Sequence, residues 1–173
     1  MIGLEDLVDT INQTDLVASP DGEDKLGQPM INVVRVSRFG NFELFLLPGF
    51  RERTFPGSDG CLRSGMWVDT DNPVYESAAQ EDHVDGALRW SNIVGDFDVG
   101  LHYFRGTNRE PGMVLSVDGD GNSVLLPYYE QMDQVGLDLQ YTKEAWLLKL
   151  EAIGREASSD CYSAMVGGFE YTL

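Results

Sequence analysis

The charged residues that could act on a passing solute recur at every second position. Arg35, Arg51, Arg53, Asp85, Arg89, Asp98, His102, Asp138, Lys149, Glu151 and Arg155, with Glu43, alternate with apolar neighbours. On extended backbone that spacing puts them all on one face. If the strands close around a lumen, facing rows of opposite charge would create a transverse field that selects which solutes pass. The plainer alternative is a set of cross-strand ion pairs that stiffen the wall.

Enzymatic and metal chemistry find less support. Ser91, His102 and Asp98 can be drawn as a triad, but no nucleophile elbow or oxyanion motif accompanies them. His83 and His102, the only histidines, lack a second His or Cys at ligand spacing. Asp118-Gly119-Asp120-Gly121-Asn122 starts like a calcium loop. It then has Ser123 and Tyr129 where the glycine and the bidentate glutamate belong, so it reads as a hairpin turn. Asp69, Asp71, Glu76, Glu81, Asp82 and Asp85 make an acidic stretch that suits a solvated loop, with divalent-ion bridging near lipopolysaccharide as the minor alternative. Cys61 and Cys161 match no metal or CxxC spacing. They are expected as incidental unpaired thiols, with a disulfide on an oxidising outer side as the alternative. No cofactor and no catalytic residue is expected.

The net charge of −17 argues against nucleic acid, because phosphate binding needs clustered Lys and Arg. It also argues against polybasic docking on anionic lipid. No apolar run approaches the roughly 18 residues of a transmembrane helix, which leaves strands as a way to cross a membrane. The opening MIGLEDLVDT lacks the basic and apolar regions of an export signal, so the chain is expected to be either cytosolic or a piece of something longer.

The elements that must position these residues follow from periodicity. Leu4, Leu7, Val8 and Ile11 predict a short N-terminal helix, and residues 1–29 read as that helix plus a polar loop. This segment is also a candidate constriction inside a barrel. From residue 30 to 173 the period is two. Seven strands are expected: Ile31–Phe39, Phe42–Arg53, His83–Ile93, Phe97–Gly106, Gln134–Thr142, Trp146–Arg155 and Tyr162 to the end. In the first, Val34 and Val36 should oppose Arg35 and Ser37. A smaller hairpin, Met113–Asp118 with Ser123–Tyr128, sits inside a long connection.

Short turns near Gly40-Asn41, Gly95 and Glu144 alternate with long stretches near 54–82 and 107–133 and a shorter one near 156–161. That rhythm, with strands of roughly nine to eleven residues and aromatics near their ends, is the rhythm of a transmembrane barrel. The expected fold is therefore all-β: an antiparallel meander forming part of a transmembrane β-barrel, after a short helix. The alternative is a soluble periplasmic or secreted β-sheet protein that binds a ligand or partner on one face.

The runs INQTDLVASPDGEDKLGQPM, LPGFRERTFPGSDG, GDFDVGLHYFRGTNREP, LPYYEQMDQVGLDLQYT, WLLKLEAI and VGGFEYTL resemble a porin-like outer-membrane family of Gram-negative, often marine, bacteria. The resemblance spans nearly the whole chain; Cys61 departs from it, in a loop where a polar or charged residue is expected. It implies an outer-membrane location, pore formation or solute uptake with the solute unassigned, and no catalytic residues. Lipid, lipopolysaccharide, the barrel-assembly machinery and small solutes are the implied partners. It also implies that this chain is an internal piece of a larger barrel. Seven strands, fewer than the roughly eight of the smallest usual barrel, point the same way. The last strand, ending on Leu173, also resembles a terminal barrel strand.

Overall fold

The structure, a computed structural model, describes residues 13–14, 25–56 and 65–172. The N-terminal helix expected around Leu4–Ile11 lies outside them, as does Cys61. Within the segment expected to be polar loop, β1 (Gln13–Thr14) pairs antiparallel with β2 (Lys25–Leu26). Among the described residues there is no α-helix, only a 3-10 turn at Gln80–Asp82.

The other regular elements are strands. β3 (Ile31–Ser37), β4 (Gly40–Pro48), β6 (Val84–Val94), β7 (Phe97–Thr107), β10 (Gln131–Lys143), β11 (Trp146–Ala157) and β12 (Cys161–Tyr171) form one seven-stranded antiparallel sheet, each paired with its chain neighbours. β5 (Val74–Tyr75), β8 (Gly112–Val117) and β9 (Ser123–Tyr129) form a second, three-stranded sheet built entirely from the two long connections. The expected hairpin inside the long connection is β8–β9, and β5 joins it in parallel.

The short turns are all two residues long: Arg38–Phe39, Gly95–Asp96 and Glu144–Ala145. Gly95 (φ 64°) and Glu144 (φ 53°) take the left-handed conformation that lets a tight turn follow the twist of its strands. Gly40 leaves the first turn at φ 115°, and a Cβ there would fall 2.5 Å from the Ser91 carbonyl oxygen, so only glycine fits. These turns occupy one end of the sheet, and connections 49–83, 108–130 and 158–160 occupy the other.

Two expected strand assignments are corrected. β4 ends at Pro48 rather than running to Arg53. Pro48 has no N–H for the ladder, Gly49 bends the chain at φ 81°, and the Gly49 N–H turns to the His83 carbonyl at 3.1 Å. Arg51 and Arg53 therefore lie in a connection, not on a strand face. In β3 the faces are exchanged: Arg35 pairs with Phe42, while Val34 pairs with Glu43. The two-residue turn dictates this register, and a one-residue difference moves every side chain to the other face.

The sheet is open, not a closed barrel. β3 and β12 are its edges, and neither has a further partner among the described residues. Its two faces differ sharply. One carries Phe42, Leu88, Trp90, Leu101, Val135, Leu148, Met165 and Phe169, and it is uncovered: Leu88 is 54% exposed and Phe169 69%. The opposite face holds the small core of Leu47, Ala87, Phe104 and Met132, at the end where the long connections fold over it.

Candidate solute-facing surface

The polar face is built row by row from the register. One row reads Glu43, Arg89, His102 and Gly136 across β4, β6, β7 and β10; the next reads Ser91, Gly100, Asp138 and Glu151. Asp98, Gln140 and Lys149 follow toward the short turns, and Gln134 with Arg155 toward the long ones. Asp85, Arg89, Asp98, His102, Asp138, Lys149, Glu151 and Arg155 thus share this face. Arg35 does not: it sits on the apolar face beside Phe42.

Most of these cations are engaged. Arg89 Nη1 donates to Glu43 Oε1 at 3.0 Å, and Lys149 Nζ donates to Glu170 Oε1 at 3.1 Å. Arg155 Nε donates to Gln134 Oε1 at 2.9 Å and its guanidinium lies 5.3 Å above the Tyr162 ring. Three polar side chains of this face lie flat across a glycine on the next strand. A Cβ at Gly106 would enter the Asp85 carboxyl, one at Gly136 would enter the His102 ring, and one at Gly100 would come within 3.0 Å of Asp138. Glycines on β7 and β10 make room for a dense polar layer close to the backbone.

Periodicity did not reveal how the long connections are fastened over this face. Arg109, just beyond β7, is buried; its Nη1 donates to Asp85 Oδ2 at 2.5 Å and to the Thr107 carbonyl at 2.7 Å. Its guanidinium also lies 5.4 Å from the Phe50 ring and 5.6 Å from Phe104. Burial pulls its proton affinity down, and the facing Asp85 opposes that. Asp85 Oδ1 also accepts the Thr107 N–H at 3.0 Å and lies 2.7 Å from His83 Nδ1.

Above this anchor the two long connections and the short 158–160 connection are stitched together. Glu130 accepts the Ser159 N–H at 3.0 Å and its hydroxyl at 2.9 Å. Glu76 accepts the Gln131 N–H at 2.7 Å and the Ser158 hydroxyl at 2.5 Å, which hold its carboxyl below the usual range. Tyr129 stacks with Tyr75 at 5.6 Å and takes the Arg53 N–H on its hydroxyl oxygen at 3.0 Å. Burial pushes its phenol up to about 12. Glu52, bonded to the Tyr75 hydroxyl, is raised first by burial and then by Glu81. The only sequence hint was an arginine immediately past a strand end, in Thr107-Asn108-Arg109.

The other candidates separate in space. Asp98 and His102 lie four positions apart along β7, about 13 Å at strand rise, too far for a triad hydrogen bond. Asp118 Oδ1 accepts the N–H groups of Asp120 and Asn122, at 2.9 and 2.8 Å, so the D-x-D-x-N run closes its own turn. Asp69 likewise holds the Asp71 N–H at 3.0 Å. Among the described residues no group of His, Cys, Asp and Glu could hold a metal ion. Cys161 is exposed with a free thiol.

No family model, curated protein or solved structure matches this chain. The polar face can therefore be read only from its own chemistry. It presents rows of acidic, basic and amide side chains close to the backbone, and the long connections cover one end of it.

Proposed function

We propose that these seven strands form part of the wall of an outer-membrane β-barrel of the porin type, working as a passive channel or solute-uptake pore rather than as an enzyme. The observation that carries this reading is the uncovered apolar face. In water, the large side chains exposed across it would each forgo roughly 1 kcal/mol of burial, on the order of 10 kcal/mol together. Apolar patches of that extent on soluble monomers are rare and mark a surface that something else covers. Acyl chains cover it without a second protein layer.

The ends of the sheet fit the same reading. Phe42, Trp90, Phe97, Tyr141, Trp146 and Tyr171 crowd the short-turn end of the apolar face, where a bilayer interface would take aromatic side chains. Arg105, Asp133 and Glu156 form a charged row across β7, β10 and β11 at the other end. β3 and β12 run in the same direction, so closing the wall antiparallel takes an odd number of additional strands.

The polar face would then line the lumen, with solutes, membrane lipid, lipopolysaccharide and the assembly machinery as partners. The test is fractionation combined with unheated gel electrophoresis. A protein in the outer-membrane fraction that migrates differently before and after boiling supports the reading. A soluble protein with no such shift overturns it in favour of a soluble β-sheet binding protein.

A further inference from the structure

Among the described residues, Arg35 is the one strand arginine on the apolar side that carries no acidic neighbour in register: its partner on β4 is Phe42. Among the described residues its guanidinium has no ion pair or hydrogen bond. It lines a groove of about 440 Å³ across β3, β4, β6 and β7, whose walls are Phe42, Leu44, Leu88, Leu101 and Tyr103. Glu43 and Arg89 border the same groove, but they alternate with these residues and meet each other across the opposite face at 3.0 Å. Arg38, three residues on in the short turn, lies 4.5 Å above the Phe39 ring.

Leaving an arginine in such a place has a physical cost. A cation on a lipid-facing surface is destabilising unless it reaches the headgroup level or finds an anion. Arg35 is two positions from the end of β3, beside the aromatic-rich short-turn end, which places it at that level. An apolar trough with a guanidinium at one end is complementary to an acyl chain with an anionic head, and the anionic head that a bilayer supplies is a phosphate.

We propose that this groove is a binding site for an anionic phospholipid, its acyl chain lying along Leu44, Leu88 and Leu101 and its phosphate held by Arg35. Charge complementarity chooses the occupant. On a chain of net charge −17, an arginine at the end of an apolar trough makes a local attraction for phosphate that the rest of the surface opposes. The inference rests on the membrane reading above and adds to it a specific lipid.

The test is fluorescence quenching in vesicles of brominated phospholipid, using the full chain with Trp67→Phe and Trp146→Phe so that Trp90, beside the groove, is the only reporter. A second variant keeps Trp146 alone, on the far strands. Trp90 should be quenched at least twofold more by vesicles containing brominated phosphatidylglycerol than by brominated phosphatidylcholine alone, and Arg35→Gln should abolish the difference. Trp146 should show no such preference. Equal quenching of Trp90 by both lipids, a preference that survives Arg35→Gln, or its removal by excess inorganic phosphate overturns the site. Quenching of Trp146 without Trp90 leaves the membrane reading standing and removes the site. No quenching of either tryptophan removes both.

Discussion

Arg109 reaches back from a long connection to set its Nη1 2.5 Å from Asp85 Oδ2 on the wall, with both side chains buried. This pair is one of the points where the long connections are fastened to the seven-stranded sheet, beside the Glu76 and Glu130 hydrogen bonds. It also holds the long connections over the polar face and away from the apolar one.

Breaking that pair from one side should be costly, because it strands the other charge out of water. Arg109→Met is expected to lose about 3–5 kcal/mol of unfolding free energy. The double variant Asp85→Asn, Arg109→Met should recover a large part of that. Denaturant unfolding of the four members of the cycle measures it, and hydrogen exchange should show β8 and β9 losing protection before β7.

Gly136 supports His102 by having no side chain. Gly136→Ala places a methyl group in the imidazole ring and should cost about 1–3 kcal/mol by overpacking. Gly168→Ala, on the same face with nothing within 4 Å, should change stability by less than about 0.5 kcal/mol. Equal effects at the two positions would remove the packing explanation.

The two faces make opposite predictions for an added charge. Leu101→Lys on the apolar face should cost about 2–4 kcal/mol in a bilayer and sharply lower the heat-modifiable fraction. Asp98→Lys on the polar face of the same strand should leave that fraction unchanged. If the apolar face were exposed to water instead, Leu101→Lys would be harmless or would improve solubility.

Tyr129 supplies a pH signature. Its phenol is raised to about 12 from an ordinary value near 10, chiefly by burial. Between those values the unfolded chain has released the proton and the folded chain still holds it, so stability falls as pH rises. Its contribution is intact below about pH 10 and lost by about pH 12. Tyr129→Phe should flatten unfolding free energy against pH across that window, and absorbance titration should lose a tyrosine that titrates at about 12.

Much of the architecture was legible from alternation. Leu88, Trp90, Leu101, Leu139 and Leu148 share a face in the register, opposite Arg89, Asp98, Asp138 and Lys149, as the alternation of charged and apolar residues predicts, although Ala87, Ile93, Phe104 and Ile153 interrupt the polar side. β3 broke the pattern. Its Val33, Val34 and Val36 make both faces apolar, so alternation could not say where Arg35 points, and the turn at Arg38–Phe39 decided it. β4 was drawn too long because Phe50 keeps the apolar phase beyond Pro48, although the backbone has already turned at Gly49.

The candidate site divides in the same way. The sequence by itself determined that Asp85, Arg89, Asp98, His102, Asp138, Lys149, Glu151 and Arg155 lie on one side, since side-chain direction on a strand is a local property. Only the tertiary structure decided which of them meet: that Arg89 takes Glu43, Arg155 takes Gln134, and Asp85 takes Arg109 from 24 residues away. Register between strands joined by a long connection, and the path of that connection, are set by contacts between segments far apart in the chain, and no local spacing encodes them.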